Sequence, residues 1–255
     1  MLPVLFNIGP VPIRSFGLLM VVAFFVGLQM AASRAKRYDI DKQKVWDLGL
    51  WLILCGALGA RILFIAQEWK HFSQHTDELF SLQFSGLTSF GGLIGGVLAL
   101  VIYCRRHKIS TRTMLDIFAP ALLVSHAIGR VGCLLNGCCH GGPTTEWFGV
   151  HQDNLAGLFV PAQLADSAMV LLAWGALRLW ENKRQLGPGQ AFAFAIIGYN
   201  LSRFLFEFFR AGSSSTYWGG LPITQAQGLA LAMAILGGIL YAAWSRRATG
   251  ASSPA

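Results

Sequence analysis

Seven runs of roughly 20 mainly apolar residues constrain this chain more than any other feature, because that length of apolar helix spans the hydrocarbon core of a bilayer. They fall at Phe16–Ala32, Trp46–Gln67, Ser89–Cys104, Asp116–Leu135, Pro161–Trp180, Pro188–Phe208 and Ala226–Trp244. A water-soluble globule has no means of hiding so many apolar side chains. Only 13% of the residues are charged against 54% hydrophobic, about half the charged share of a typical soluble domain. The expected fold is therefore all-α and polytopic, with about seven transmembrane helices. It forms one integral membrane domain over residues 1–247, followed by a short disordered tail at 248–255.

The charges say which way the helices run. A net charge of +8 would suit a nucleic-acid partner if it were clustered on one face, but it is segregated into alternate connections. Arg34, Lys36, Arg37, Lys42 and Lys44 follow the first run. Arg105, Arg106, Lys108 and Arg112 follow the third, Lys183 and Arg184 the fifth, and Arg246 and Arg247 the seventh. The intervening segments hold little beyond Arg14, Lys70 and Arg210. Basic loops stay cytoplasmic, so the N-terminus is expected in the periplasm and the C-terminus in the cytoplasm, with no nucleic acid bound. The first run lacks a small-residue cleavage site and leads into basic Ser33–Lys44, so it reads as a retained helix and not as a signal peptide. Two long periplasmic loops remain. Glu68–Thr88 is rich in aromatic and apolar side chains (Trp69, Phe72, Leu79, Phe80, Phe84), and Asn136–Val160 is glycine-rich, carries Trp147 and has no Lys or Arg. Aromatic residues favour the headgroup level, which points to a site facing the outer leaflet.

Three arginines do not belong to loops: Arg61, Arg130 and Arg203 lie inside apolar runs. At about 2.5–3.5 kcal/mol each near mid-bilayer, such residues face a bundle interior or a wet cavity and mark function by default. Arg203 has Tyr199 four residues before it and Glu207 four after, which places all three on one helix face. Arg130 has His126 four residues before it and Asn136 at the end of the same run, with no acid at helical spacing. An anion supplied by a ligand would satisfy it, and guanidinium suits bidentate contact with phosphate. Gly91, Gly92, Gly95 and Gly96 form two overlapping G-x-x-x-G pairs, and Gly56 and Ala60 a small-x-x-x-small pair beside Arg61. Both patterns let helix backbones approach closely.

These residues resemble a known family. Gly129-Arg130-Val131-Gly132-Cys133-Leu134-Leu135-Asn136-Gly137, with Gly141 beyond, is similar to the G-R-x-G-x-x-x-N-G signature of the prolipoprotein diacylglyceryl transferases. Further motifs agree in order along the chain. They are Pro12-Ile13-Arg14-Ser15-Phe16-Gly17, Gly59-Ala60-Arg61, Ser89-Phe90-Gly91-Gly92-Leu93-Ile94-Gly95, Pro161-Ala162-Gln163-Leu164, Tyr199 through Arg210, and Gln227 at the opening of the last helix. The resemblance implies transfer of a diacylglyceryl group from phosphatidylglycerol to a lipobox cysteine of a preprolipoprotein, at the bacterial inner membrane and without a cofactor. It implies phosphate contacts for Arg130 and Arg203, with Glu207 beside them in the catalytic set, and substrate binding by Arg61, Asn136, Gly141, Tyr199, Gln163 and Gln227.

The chain also departs from the family pattern. Phe90 stands where the third-helix motif has histidine, and Phe16 where the first has tyrosine. Val160 and Ala165 replace His and Tyr of the fifth, and Asp166 replaces Glu. His126, one turn from Arg130, is the candidate to take over as general base: a neighbouring cation favours the neutral imidazole. The competing reading is a histidine bonded to a helix carbonyl. A paralogue that binds an anionic lipid without transferring it, or an anion transporter, are the alternative functions; the absence of an inverted repeat counts against transport. Cys133, Cys138, Cys139 and His140 read C-x₄-C-C-H without the second distant pair usual for zinc, so no metal is expected. A disulfide among the three cysteines suits an oxidising compartment, and similar Cys-Cys segments in some family members point to a loop role.

Overall fold

The computed structural model describes residues 2–9, 11–73, 88–152, 156–209 and 223–250. Each apolar run is one long helix. A β-hairpin of β1 (Val4–Ile8) and β2 (Val11–Arg14) precedes α1 (Ser15–Ala35). A single 3₁₀ turn, Lys36–Tyr38, leads to α2 (Lys42–Gln67) and the one-turn α3 (Trp69–Phe72). Then come α4 (Ser89–Arg106), α5 (Thr111–Leu135), three two-residue strands β3 (Pro143–Thr144), β4 (Val150–His151) and β5 (Leu158–Phe159), α6 (Ala162–Lys183), α7 (Gln190–Phe209) and α8 (Gln225–Gly250). Among the described residues, five of the helices are long and apolar enough to cross a membrane by length and composition, and the fold is that of an all-α polytopic membrane protein. The observed helices exceed the expected spans at most ends, because polar flanks such as Lys42–Val45 and Thr111–Leu115 continue the backbone ladder into the interface. For the same reason α8 continues to Gly250, through the first residues of the expected tail. Leu79, Phe80, Phe84 and Arg210, and residues 251–255 of the tail, lie outside the described residues.

Within the stretch expected to be one membrane domain, the chain packs as two compact units, Ala32–Met114 and Met1–Ala31 with Leu115–Ala255. In the first, α2 lies on α4 through glycine. A Cβ on Gly91 would sit 2.3 Å from the Gly59 carbonyl oxygen, and one on Gly95 2.1 Å from that of Cys55. The backbones touch there, which only glycine permits. Gly92 and Gly96 have ordinary space, so only one of the two overlapping motifs is sterically required. Thr88, at the N-terminus of α4, bonds the Ala60 carbonyl through its backbone N–H and its hydroxyl, at 3.3 and 3.2 Å. Asp41 caps α2 by accepting from the Gln43 N–H at 3.0 Å.

In the second unit, α5, α6 and α7 pack around Ala119, Leu123, Val170, Leu177, Ala191 and Ala195. Buried polar side chains join the helices. Ser125 donates to the Ala23 carbonyl of α1 at 2.8 Å. Asp116 of α5, 1% exposed, accepts from the Gly189 and Phe192 N–H groups and so caps α7 from a neighbouring helix. Between α5 and α6, β3 and β4 flank β5 in an antiparallel sheet, Pro143 and Val150 both opposite Phe159.

Candidate functional site

Along α6, Gln163, Asp166 and Ser167 occur at i, i+3 and i+4, one helix face, and that face is buried against α5. Ser167 donates to the Ala127 carbonyl at 3.1 Å. Gln163, fully buried, donates to the Cys138 carbonyl at 2.6 Å and anchors the loop that follows α5. Between them Asp166, 1% exposed, accepts a bond from Arg130 Nε. The same oxygen, Oδ2, lies 3.3 Å from His126 Nε2. Arg130 therefore does not wait for a ligand to supply its counter-ion. A carboxylate from α6 stands beside it in addition to any anion a ligand would bring. Sequence spacing missed it because the acid lies on a different helix.

A helical turn brings α7 to the same place. Arg203 Nη1 donates to Glu207 Oε2 at 2.6 Å, the i, i+4 pair anticipated on that face. The guanidinium carbons of Arg130 and Arg203 lie 4.8 and 5.2 Å from the centroid of the Phe206 ring, itself 1% exposed. They are thus separated by no more than the sum of those distances. Attraction between cation and ring face, about 0.5–2 kcal/mol each, holds both around one pivot. The Tyr199 and His126 rings meet edge to face at 4.9 Å and 82°. Arg130, His126, Tyr199, Arg203 and Glu207 are linked into one cluster through Asp166 and Phe206.

The net charge of the four ionised side chains is zero, yet the cluster keeps its capacity for an anion. A guanidinium has five N–H donors. Arg130 meets Asp166 through Nε, so its two terminal nitrogens carry four further N–H groups, while the carboxylates fix both planes. What such an arrangement can do is orient a phosphate and stabilise negative charge that grows on it.

A sequence profile of the prolipoprotein diacylglyceryl transferases matches residues 3–243. This chain belongs to that family. A phosphatidylglycerol–prolipoprotein diacylglyceryl transferase of Lactobacillus acidophilus is 30% identical over 245 residues, covering 92% of this chain and 87% of the relative. A protein of the same name from Lactobacillus gasseri is 32% identical over 222 residues, covering 83% and 80%. That of Listeria innocua is 30% identical over 249, covering 94% and 89%. Membership of a diacylglyceryl transferase family makes the chain a multi-pass membrane transferase of lipoprotein biosynthesis.

The other anticipated residues sit as follows. Asn136 continues from α5, its N–H on the Gly132 carbonyl at 3.0 Å. Gly141 closes the loop by donating to the Val160 carbonyl at 2.8 Å. Gln227 works in a helix cap: its carboxamide oxygen accepts from the Thr224 N–H at 3.0 Å, and Thr224 Oγ1 accepts from the Gln227 N–H at 3.1 Å, a capping box at the start of α8. Arg61 belongs to the first unit, its guanidinium 5.8 and 5.5 Å from the Phe64 and Phe72 rings. The signal that would have found Asp166 was present: an acid inside an apolar run is as anomalous as an arginine. No sequence signal marks Phe206. Among the described residues, the side chains placed to hold a metal are Cys133, Cys138 and Cys139.

Proposed function

We propose that the chain transfers the diacylglyceryl group of phosphatidylglycerol to the thiol of a lipobox cysteine in a secreted preprolipoprotein, releasing glycerol 1-phosphate. The observation that supports this most is the pairing of Arg130 and Arg203 around Phe206, each held by its own carboxylate. The acceptor sulfur forms a bond to the glycerol carbon that bears the phosphate. The carbon–oxygen bond breaks, and its electron pair leaves on the phosphate oxygen. Fixed guanidinium donors in a water-poor interior lower the energy of that developing charge without reorganising.

The thiol must lose its proton to attack, and His126 is the base we assign. An ionised carboxylate only accepts hydrogen bonds, so the contact with Asp166 puts the imidazole proton on Nε2. The lone pair is then on Nδ1, and Asp166 fixes the tautomer as it fixes Arg130. Tyr199 braces the ring from the edge. Asn136, Gly141 and Gln163 hold the loop that follows α5, the family resemblance assigns Arg61 to lipid binding, and Gln227 sets the start of α8. The alternation of basic loops favours a bacterial inner-membrane location with the site toward the outer leaflet. The partners are phosphatidylglycerol, the lipobox peptide and the bilayer, with no nucleic acid.

One observation favours a second reading, lipid binding without transfer. Phe90, where the family motif has a proton acceptor, is 70% exposed on α4 and has no proton to take or give. Purified protein in mixed micelles of phosphatidylglycerol with a lipobox peptide separates the two. Glycerol phosphate released only when the cysteine peptide is present, together with a thioether-linked product, supports transfer. Saturable lipid binding with no release supports the second reading and refutes the first.

A further inference from the structure

The loop that closes α5 gathers three thiols that the transfer chemistry above does not use. The Sγ atoms of Cys133, Cys138 and Cys139 all lie within 4.8 Å of one another, and all five cysteines of the chain are thiols. Spacing along the chain offers no second ligand pair; the helix cap supplies the missing proximity. The Gly137 N–H bonds the Leu134 carbonyl at 3.0 Å and the Cys138 N–H bonds the Cys133 carbonyl at 3.1 Å, with Gly137 left-handed at φ +72°. This is a Schellman cap. It sets the third residue from the helix end, Cys133, against the third residue beyond that end, Cys138, a contact that is usually apolar. Here both positions are cysteine. Cys139 then adopts φ +65°, a conformation that costs a side-chain-bearing residue about 1–2 kcal/mol. Its Sγ thereby lies within 4.8 Å of that of Cys133. Three side chains of one chemical type are brought to one point by a cap and by a strained residue, and the frame is fixed from α6 by Gln163 on the Cys138 carbonyl at 2.6 Å.

We propose that Cys133, Cys138 and Cys139 form a three-thiolate site for a thiophilic d¹⁰ cation, zinc(II), that clasps the loop from Asn136 to Gly141 to the end of α5. Zinc–sulfur bonds of about 2.3 Å require the sulfurs to close by about 1 Å from their present limit, a side-chain adjustment. Three thiol protons pass to solvent as the thiolates form. The resulting complex carries one net negative charge, and the Arg130 guanidinium lies within electrostatic reach of Cys133 and Cys139. His140 is turned away: its Nδ1 is 2.9 Å from the Gly141 carbonyl and its ring packs 4.7 Å from that of Phe159. The fourth zinc position is therefore left to water or to an added thiol.

The test needs no substrate, so it can fail while the transferase reading stands, and the reverse. Protein extracted anaerobically and freed of metal is titrated with zinc against a chromophoric chelator. One equivalent should bind per chain, at least tenfold more weakly in Cys133→Ser, Cys138→Ser and Cys139→Ser, and unchanged in Cys55→Ser. In the wild type, bound zinc should protect Cys133, Cys138 and Cys139, but not Cys55, from alkylation mapped by mass spectrometry. This arm does not depend on any variant folding. Zinc that binds equally to the triple serine variant overturns the proposal. So do equal alkylation with and without zinc, and a disulfide among the three in protein trapped directly from membranes.

Discussion

Replacing Asp166 by asparagine keeps the volume of the side chain and removes its charge, which makes it the sharpest probe of the cluster. The carboxylate is 1% exposed and serves two partners, Arg130 Nε and His126 Nε2. Breaking a buried pair from one side leaves an uncompensated charge and costs about 3–5 kcal/mol. The lower end applies here, because the Arg130 side chain keeps 15% of its exposure and retains some solvation. Thermal unfolding in detergent should show this loss. Because Arg130 is then an unbalanced cation, phosphatidylglycerol should stabilise Asp166→Asn more than it stabilises the wild type, while zwitterionic phosphatidylcholine should not discriminate. Glycerol phosphate release should fall by about 10²–10⁴, the usual contribution of a positioned base, since the tautomer of His126 loses its anchor. Asp166→Glu, the residue common in the family, should recover part of both. Wild-type stability and rate in Asp166→Asn, or equal stabilisation by the two lipids, would refute the idea that this carboxylate balances a phosphate-facing arginine.

Further predictions follow from the same geometry. His126→Ala should lower the turnover number by about 10²–10⁴ with little change in lipid affinity; an unchanged rate of peptide modification removes the base assignment. Arg203→Gln should reduce turnover by about 10²–10³ and lower the melting temperature by removing the ion pair with Glu207. The double change Arg203→Gln with Glu207→Gln should regain melting temperature but not activity, and recovery of both would make the pair purely structural. In the first unit, Gly95→Ala should destabilise by at least about 1–3 kcal/mol, because its Cβ would meet the Cys55 carbonyl oxygen at 2.1 Å. Gly96→Ala, with its nearest neighbour at 3.9 Å, should melt like the wild type.

The elements were legible because a bilayer imposes one rule on every span. With no water to satisfy the backbone, a long apolar run has to be helical, and each of the seven runs is. The i, i+4 pairing of Arg203 with Glu207 was legible for the same local reason: neighbours on one helix are fixed by the helical repeat. So was glycine contact by α4, although the sequence does not say which of two overlapping motifs meets α2; that depends on the rotation of one helix against another.

Sequence alone thus determined the helices, their apolar character, the anomalous arginines and the family. The tertiary structure decided who partners whom across helices. It gave Arg130 an aspartate from α6, set both guanidiniums around a phenylalanine from α7, turned Gln227 into a cap, and folded three cysteines together behind Gly137. The contacts of Arg130 with Asp166 and Phe206 join residues tens of positions apart in the chain, where no periodicity constrains them. They are selected by packing and by the need of each buried polar group for a partner.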